Sequence, residues 1–219
     1  MADAAIGTWR TGQARARHSP VAGVILAGGL SRRLGGGDKA LLELGGRPML
    51  GRIIERLGEQ AWPLVLNANG DPARFAGFGL PVVADSVEGF VGPLAGILAG
   101  LRWAREHSDA SWIATVPADT PFLPRNLVGR LFASLGAAAE IVIAGSRERT
   151  HPVIGLWPVA LADDLAQWLL DDAHRNVGGW VESRVAAVVD FQDEGRFDPF
   201  FNVNTPEDAI VAARRAAGR

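Results

Sequence analysis

Gly28 and Gly29 end an apolar run at 24–27 and open a loop that carries Arg32, Arg33, a glycine run at 35–37 and the pair Asp38-Lys39. Glycine lets backbone N–H groups approach an anion closely, because no Cβ stands in the way. Arginine brings a fork of donors and lysine a mobile point charge, and both suit polyphosphate. Three later apolar runs also end in amides or acids, at Asn67-Ala68-Asn69, Asp85 and Asp119. Ligands of open parallel sheets sit beyond the carboxyl ends of the strands. Gly28, Asn67, Asp85 and Asp119 are therefore expected to meet at one nucleotide site. The plainer alternative for any one of them is a turn, which Asn and Asp often begin.

The elements that would position these residues alternate along the chain. Strands are expected at 23–27, 64–66, 82–84, 112–116, 141–144, 153–157 and 185–191, and helices at 48–59, 94–106, 125–135, 158–171, 177–184 and 206–217. Such alternation implies an α/β fold with helices on both faces of a mostly parallel sheet. The early strands are apolar throughout, as strands covered on both sides are. Thr205-Pro206-Glu207-Asp208 marks a helix start: a Thr cap, Pro in the first turn and an acid at the third position. Residues 1–20, with Arg10, Arg15 and Arg17 but no apolar core, read as a flexible tail, and 21–219 as a single domain. The seven tryptophans are scattered and read as core and groove-lining residues.

Composition excludes several classes. With 48% hydrophobic and 21% charged residues in 219, the chain should build a proper core. A net charge of -2 argues against a general nucleic-acid surface. No apolar stretch is long enough to span a membrane. The absence of cysteine removes disulfides, thiolate metal sites and a thiol nucleophile, and fits a cytoplasmic setting. No glycine directly precedes a lysine, so the P-loop motif is missing. After Gly28-Gly29 the next glycine is Gly35, so the dinucleotide fingerprint fails too.

LAGGLSRRLGGGDKALL, PLVLNAN, VVADS, GPLAGI, VPADTPFLP, THPVIGLW and FNVNTPED follow in order from Val24 to Asp208. Together they resemble the molybdenum cofactor guanylyltransferases. The opening block alone points only to nucleotidyltransferases of the sugar-nucleotide pyrophosphorylase type; the Asn202–Asn204 segment narrows it. The resemblance implies a Rossmann-like fold of the nucleotide-diphospho-sugar transferase type. It implies transfer of GMP from GTP to the phosphate of molybdopterin, with pyrophosphate leaving, and magnesium (Mg2+) as cofactor. Molybdenum-insertion proteins and molybdoenzyme chaperones are the protein partners it suggests.

The same resemblance places Leu26, Ala27 and Gly28 at the nucleoside and Asn67 and Asp85 at the guanosine. It places the Mg2+ aspartate at Asp119. Gly29 is expected to present a backbone donor to the nucleotide. Lys39 is expected to neutralise the triphosphate, and Arg33 to stabilise charge on the transferred or leaving phosphate. Related enzymes that use CTP carry alanine where Gly28 stands. Asn202 and Asn204, two apart in an extended segment, share one side while Phe201 and Val203 share the other; they suit a polar substrate or a metal contact. His151, before Pro152, is expected at the pterin substrate or as a structural hydrogen-bond partner. Three rival readings remain open: a cytidylyltransferase for the same pterin, a sugar-1-phosphate nucleotidyltransferase, and a non-catalytic nucleotide or cofactor carrier.

Overall fold

The computed structural model describes residues 19–28, 38–87, 92–136, 139–170, 176–191 and 197–218. Its first strand, β1 (Val21–Leu26), is buried along nearly its whole length, as an apolar run covered on both faces must be. The other strands are β2 (Leu64–Asn67), β3 (Val82–Val83), β4 (Trp112–Pro117), β5 (Ile141–Ser146), β6 (Arg149–Pro158) and β7 (Ala186–Asp190). They form one seven-stranded sheet in the order β3-β2-β1-β4-β6-β5-β7. All strands run parallel except β6, which is antiparallel to both β4 and β5.

The helices are α1 (Met49–Gly58), α2 (Pro93–His107), α3 (Leu127–Ala133), α4 (Ala162–Trp168), α5 (Val177–Glu182) and α6 (Pro206–Ala216). Side chains of a strand alternate between faces, and β1 divides the core accordingly. Val21 and Ile25 join the layer that buries α1, α3 and the Ala212 side of α6. Ala22 and Val24 join the layer that buries α2, α4 and α5. α2 lies close to the sheet: a Cβ on Gly100 would stand 2.7 Å from Val24 Cγ2. Among the described residues no helix is long and apolar enough to cross a membrane.

Each expected strand and helix is present, with shifted ends. The strand expected at 153–157 begins four residues earlier, because β5 and β6 form a hairpin that turns at Arg147 and Glu148, both at positive φ. The helix expected at 158–171 is a 3₁₀ turn (Val159–Leu161) followed by the short α4. The start of α6 follows the sequence: the Thr205 side chain accepts from the Asp208 amide while the Asp208 carboxylate accepts from the Thr205 amide. Burial works against the Asp208 charge, yet the backbone amides of Asn204 and Thr205 hold its carboxyl below the ordinary range. Trp157 and Trp180 are buried in the core, and the Trp157 indole donates to Thr115 Oγ1 at 2.8 Å.

Candidate functional site

β1 lies between β2 and β4, and the register aligns their ends: Leu26 stands opposite Asn67 on one side and Pro117 on the other. The chain leaving β1 is held by both neighbours. Ala27 N donates to Asn67 O at 2.8 Å and Ala118 N donates to Leu26 O at 2.9 Å. Gly28 is exposed at the tip. Two polar clusters flank this point.

On the β2 side, the buried Asn67 side chain donates to Asp85 Oδ1 at 2.9 Å and to Val83 O at 3.2 Å. Asp85 follows the two-residue strand β3, so the parallel β2–β3 pairing brings the amide and the acid together. Asn69 Nδ2 donates to the other carboxylate oxygen of Asp85 at 2.7 Å. A Cβ built on Gly28 would lie 3.8 Å from Asn67 Oδ1, so this cluster borders the β1 tip. The first turn of α2 closes in from behind, where a Cβ on Gly96 would stand only 2.3 Å from Asn67 Oδ1. α2 can therefore reach this amide only through a glycine.

On the β4 side, Lys39 opens a 3₁₀ turn (Lys39–Leu41) whose Ala40 is buried. The Lys39 ammonium donates to Asp119 Oδ2 at 2.7 Å and to Asn204 Oδ1 at 2.6 Å. Both members of the ion pair are largely sheltered. The segment before α6 is tied to this strand end, since Val203 N donates to Asp119 O at 2.9 Å. Val203 is buried while Asn202 and Asn204 are exposed, the sidedness expected of an extended run. Buried Thr120 donates to Asn202 Oδ1 at 2.7 Å.

His151 reaches the same edge of the sheet because β6 runs backwards: its start lies beside the end of β5, with His151 opposite Ala144. Its Nε2 is 2.8 Å from Ser146 Oγ, and that hydroxyl donates to Asp198 Oδ1 at 2.8 Å. With the single hydroxyl proton committed to Asp198, His151 Nε2 must donate. The hydroxyl, not the imidazole, stands in the middle, so this is no nucleophilic triad, which needs the base to accept from the hydroxyl. The ring also packs against Phe200 at 4.9 Å between centroids.

Burial lowers the His151 pKa from 6.5, Arg149 adds to the fall and Asp198 opposes it. In the window between the lowered native value and the ordinary one, the unfolded chain takes up a proton that the native imidazole refuses. Stability therefore falls as pH drops below about 6.5 and is recovered as pH rises through that window. Urea midpoints at about pH 5.5 and pH 7.5 should differ more for the parent than for His151→Gln. Equal acid-side losses in both would remove His151 as the source.

Leu26, Ala27, Gly28, Asn67 and Asp85 thus gather on one side of the β1 tip, and Lys39, Asp119, Asn202 and Asn204 on the other. His151 stands further along the same edge, at the β5–β6 hairpin. Gly29 and Arg33 lie outside the described residues. Sequence reasoning did not single out Thr120, Ser146, Asp198 or the Asn69–Asp85 pairing. Asn69 had a signal, since it shares the Asn-Ala-Asn end of β2; the others depend on contacts distant in sequence.

The donor set bears on a metal. Among the described residues no three acidic or imidazole side chains cluster as a ready cage. Asp119 instead offers a carboxylate linked to the Asn204 amide oxygen through Lys39 Nζ and to that of Asn202 through Thr120 Oγ1. Oxygen donors in small number suit a hard cation that keeps several waters and completes its shell with phosphate oxygens.

Residues 23–186 match the family described as MobA-like NTP transferase domain. A molybdenum cofactor guanylyltransferase of Rhodopseudomonas palustris (strain BisB5) is 54% identical over 203 residues, 92% of this chain and 96% of that one. The protein of the same name from Bradyrhizobium sp. (strain ORS 278) is 52% identical over 199 residues, 90% of this chain and 93% of that one. Among solved structures, molybdopterin-guanine dinucleotide biosynthesis protein A from Archaeoglobus fulgidus superposes with a TM-score of 0.67 at 22% identity, over 90% of this chain and 99% of that one. The last likeness is one of fold.

Proposed function

This chain belongs to the MobA-like NTP transferase family, alongside the molybdenum cofactor guanylyltransferases, and from that premise we propose how its own residues serve the reaction. It transfers GMP from GTP to molybdopterin and forms the guanine dinucleotide cofactor. A terminal phosphate oxygen of the pterin, in its molybdenum-loaded form, bonds to the α-phosphorus of GTP. The bond from that phosphorus to the bridging oxygen breaks, and pyrophosphate leaves. The acceptor is already an anion, so the protein need not supply a nucleophile or form a covalent intermediate. Its task is alignment and neutralisation of charge.

The observation that carries this reading is Lys39 seated between Asp119 and Asn204, beside the β1 tip whose other flank holds Asn67 and Asp85. Asn67 and Asp85 bind the guanine edge, with Leu26, Ala27 and Gly28 against the nucleoside. Lys39 neutralises the triphosphate, Gly29 donates a backbone N–H to it, and Arg33 stabilises the departing charge. Asp119 would hold Mg2+, which would supply positive charge against the phosphates. Asn202, Asn204 and His151 lie on the acceptor side and orient the pterin phosphate. The setting is cytoplasmic, where molybdenum-insertion proteins would supply the pterin and molybdoenzyme chaperones would collect the product.

Pyrophosphate released from GTP only when molybdopterin is present would support guanylyl transfer. A tight GTP complex that never yields pyrophosphate would instead make the chain a carrier. Base choice gives a second check. Among the described residues a Cβ on Gly28 meets nothing closer than 3.8 Å, so Gly28→Ala should fold normally. It should also narrow the preference for GTP over CTP by about tenfold, the effect of roughly 1.4 kcal/mol of lost purine contact. An unchanged ratio of kcat/KM values for the two nucleotides would dismiss the steric account of Gly28.

A further inference from the structure

The Asp85 carboxylate is more constrained than base recognition alone would require. Its two oxygens each accept one amide, from Asn67 and Asn69, at 2.9 and 2.7 Å. Asn69 also accepts the backbone N–H of Asp85 on its own Oδ1 at 2.9 Å. The Asn69 amide therefore faces Asp85 with both ends matched, oxygen to N–H and nitrogen to carboxylate. A carboxylate has about four acceptor positions. Among the described residues two of these are filled, by Asn67 and Asn69, and the other two keep a fixed direction as long as both amides hold.

Asn69 is itself anchored. Asn69-Gly70-Asp71-Pro72 makes a tight turn, with Gly70 at φ 84° and the Asp71 side chain capping the following 3₁₀ helix through Ala73 N at 2.9 Å. The turn folds Arg74 back so that its Nη2 donates to Asn69 O at 2.6 Å. Arg74 Nε also pairs with Asp38 Oδ2 at 2.8 Å. Asp38 immediately precedes Lys39. One guanidinium thus spans from the turn that orients Asp85 to the turn that presents the lysine.

We propose that Asn69, braced by Arg74, is a specificity-positioning residue that fixes the Asp85 carboxylate to accept two parallel donors from a nucleobase edge. This rests on the reading of Asn67 and Asp85 as the base site. Guanine presents such an edge through N1–H and the 2-amino group. Adenine and cytosine present a donor beside an acceptor, and the acceptor would face a carboxylate lone pair. Hypoxanthine keeps N1–H but lacks the 2-amino group, so inosine triphosphate reports directly on how the carboxylate is aimed.

The test compares affinity and kinetics for GTP and inosine triphosphate, each with magnesium, in the parent, Asp85→Asn, Asn69→Ala, Arg74→Ala and Arg74→Lys. The parent should prefer GTP by about tenfold or more, the worth of a hydrogen bond to a charged acceptor. Asp85→Asn should abolish that preference. If the parent has none, or Asp85→Asn keeps it, the base-site reading itself fails. Asn69→Ala should cut the preference several-fold through KM, with kcat at saturating GTP moving less. Arg74→Ala should follow in the same direction, and Arg74→Lys should not restore it, because lysine cannot bridge two acceptors as a rigid fork. Loss of stability alone would lower the response to both nucleotides equally and leave the ratio untouched. A parental ratio in Asn69→Ala, beside a collapsed one in Asp85→Asn, overturns the proposal.

Discussion

Asp119→Asn is expected to lose guanylyl transfer by about 10³-fold or more, the scale on which a preorganised electrostatic group at the reacting phosphates acts. The replacement keeps the shape, and an amide oxygen can still accept from Lys39 Nζ, which now lies 2.7 Å from Oδ2. The backbone bond from Val203 N to Asp119 O does not involve the side chain at all. The fold should therefore lose at most about 1 kcal/mol, as a partly exposed ion pair does. A melting temperature within a few degrees of the parent, with turnover gone, is the expected pair of results. Near-parental rates at saturating magnesium would sink the assignment of Asp119 and leave the metal without a carboxylate on this strand.

Lys39→Met should fail differently. Methionine fills much the same volume at the start of the 3₁₀ turn and leaves buried Ala40 in place. What disappears is the charge between Asp119 and Asn204. In a nucleotide complex that charge would face the triphosphate, so both binding and rate should fall. A drop of about 10²-fold in kcat/KM with GTP is expected, shared between a raised KM and a lowered kcat. Lys39→Arg should rescue little, because a planar fork cannot put one nitrogen between the two oxygens as a compact ammonium does. Unchanged GTP affinity, measured calorimetrically for Lys39→Met, would show that this lysine does not meet the phosphates.

The parts of this site that were legible in the sequence have local signals. Each of β1 to β4 reads as an apolar run closed by a glycine, an amide or an acid, and strand order brings those ends together. Thr205, Pro206 and Asp208 announce α6 because capping is a matter of four adjacent residues. The unread parts depend on contacts that only the folded chain makes. The hairpin turns at Arg147-Glu148, two residues of no marked turn preference, although both take positive φ where Asn-Gly would be the usual sign. The long β6 and its reversed direction were hidden for that reason. Ser146 and Asp198 are 52 residues apart, and nothing near either one marks the other. Nothing near Arg74 in the sequence marks Asp38, which the folded chain brings to it together with the Asn69 carbonyl.

The reversal of β6 separates responsibilities along the sheet. The Asn67–Asp85 flank hangs on β1, β2 and β3 and the turns after them, all set early in the chain. His151 arrives later, beside the bend that joins the interior strands β5 and β6, and no pairing among β1, β2 and β3 runs through that bend. Substitutions in that bend should therefore leave the Asn67–Asp85 pairing in place, whatever they change beside Ser146 and Asp198.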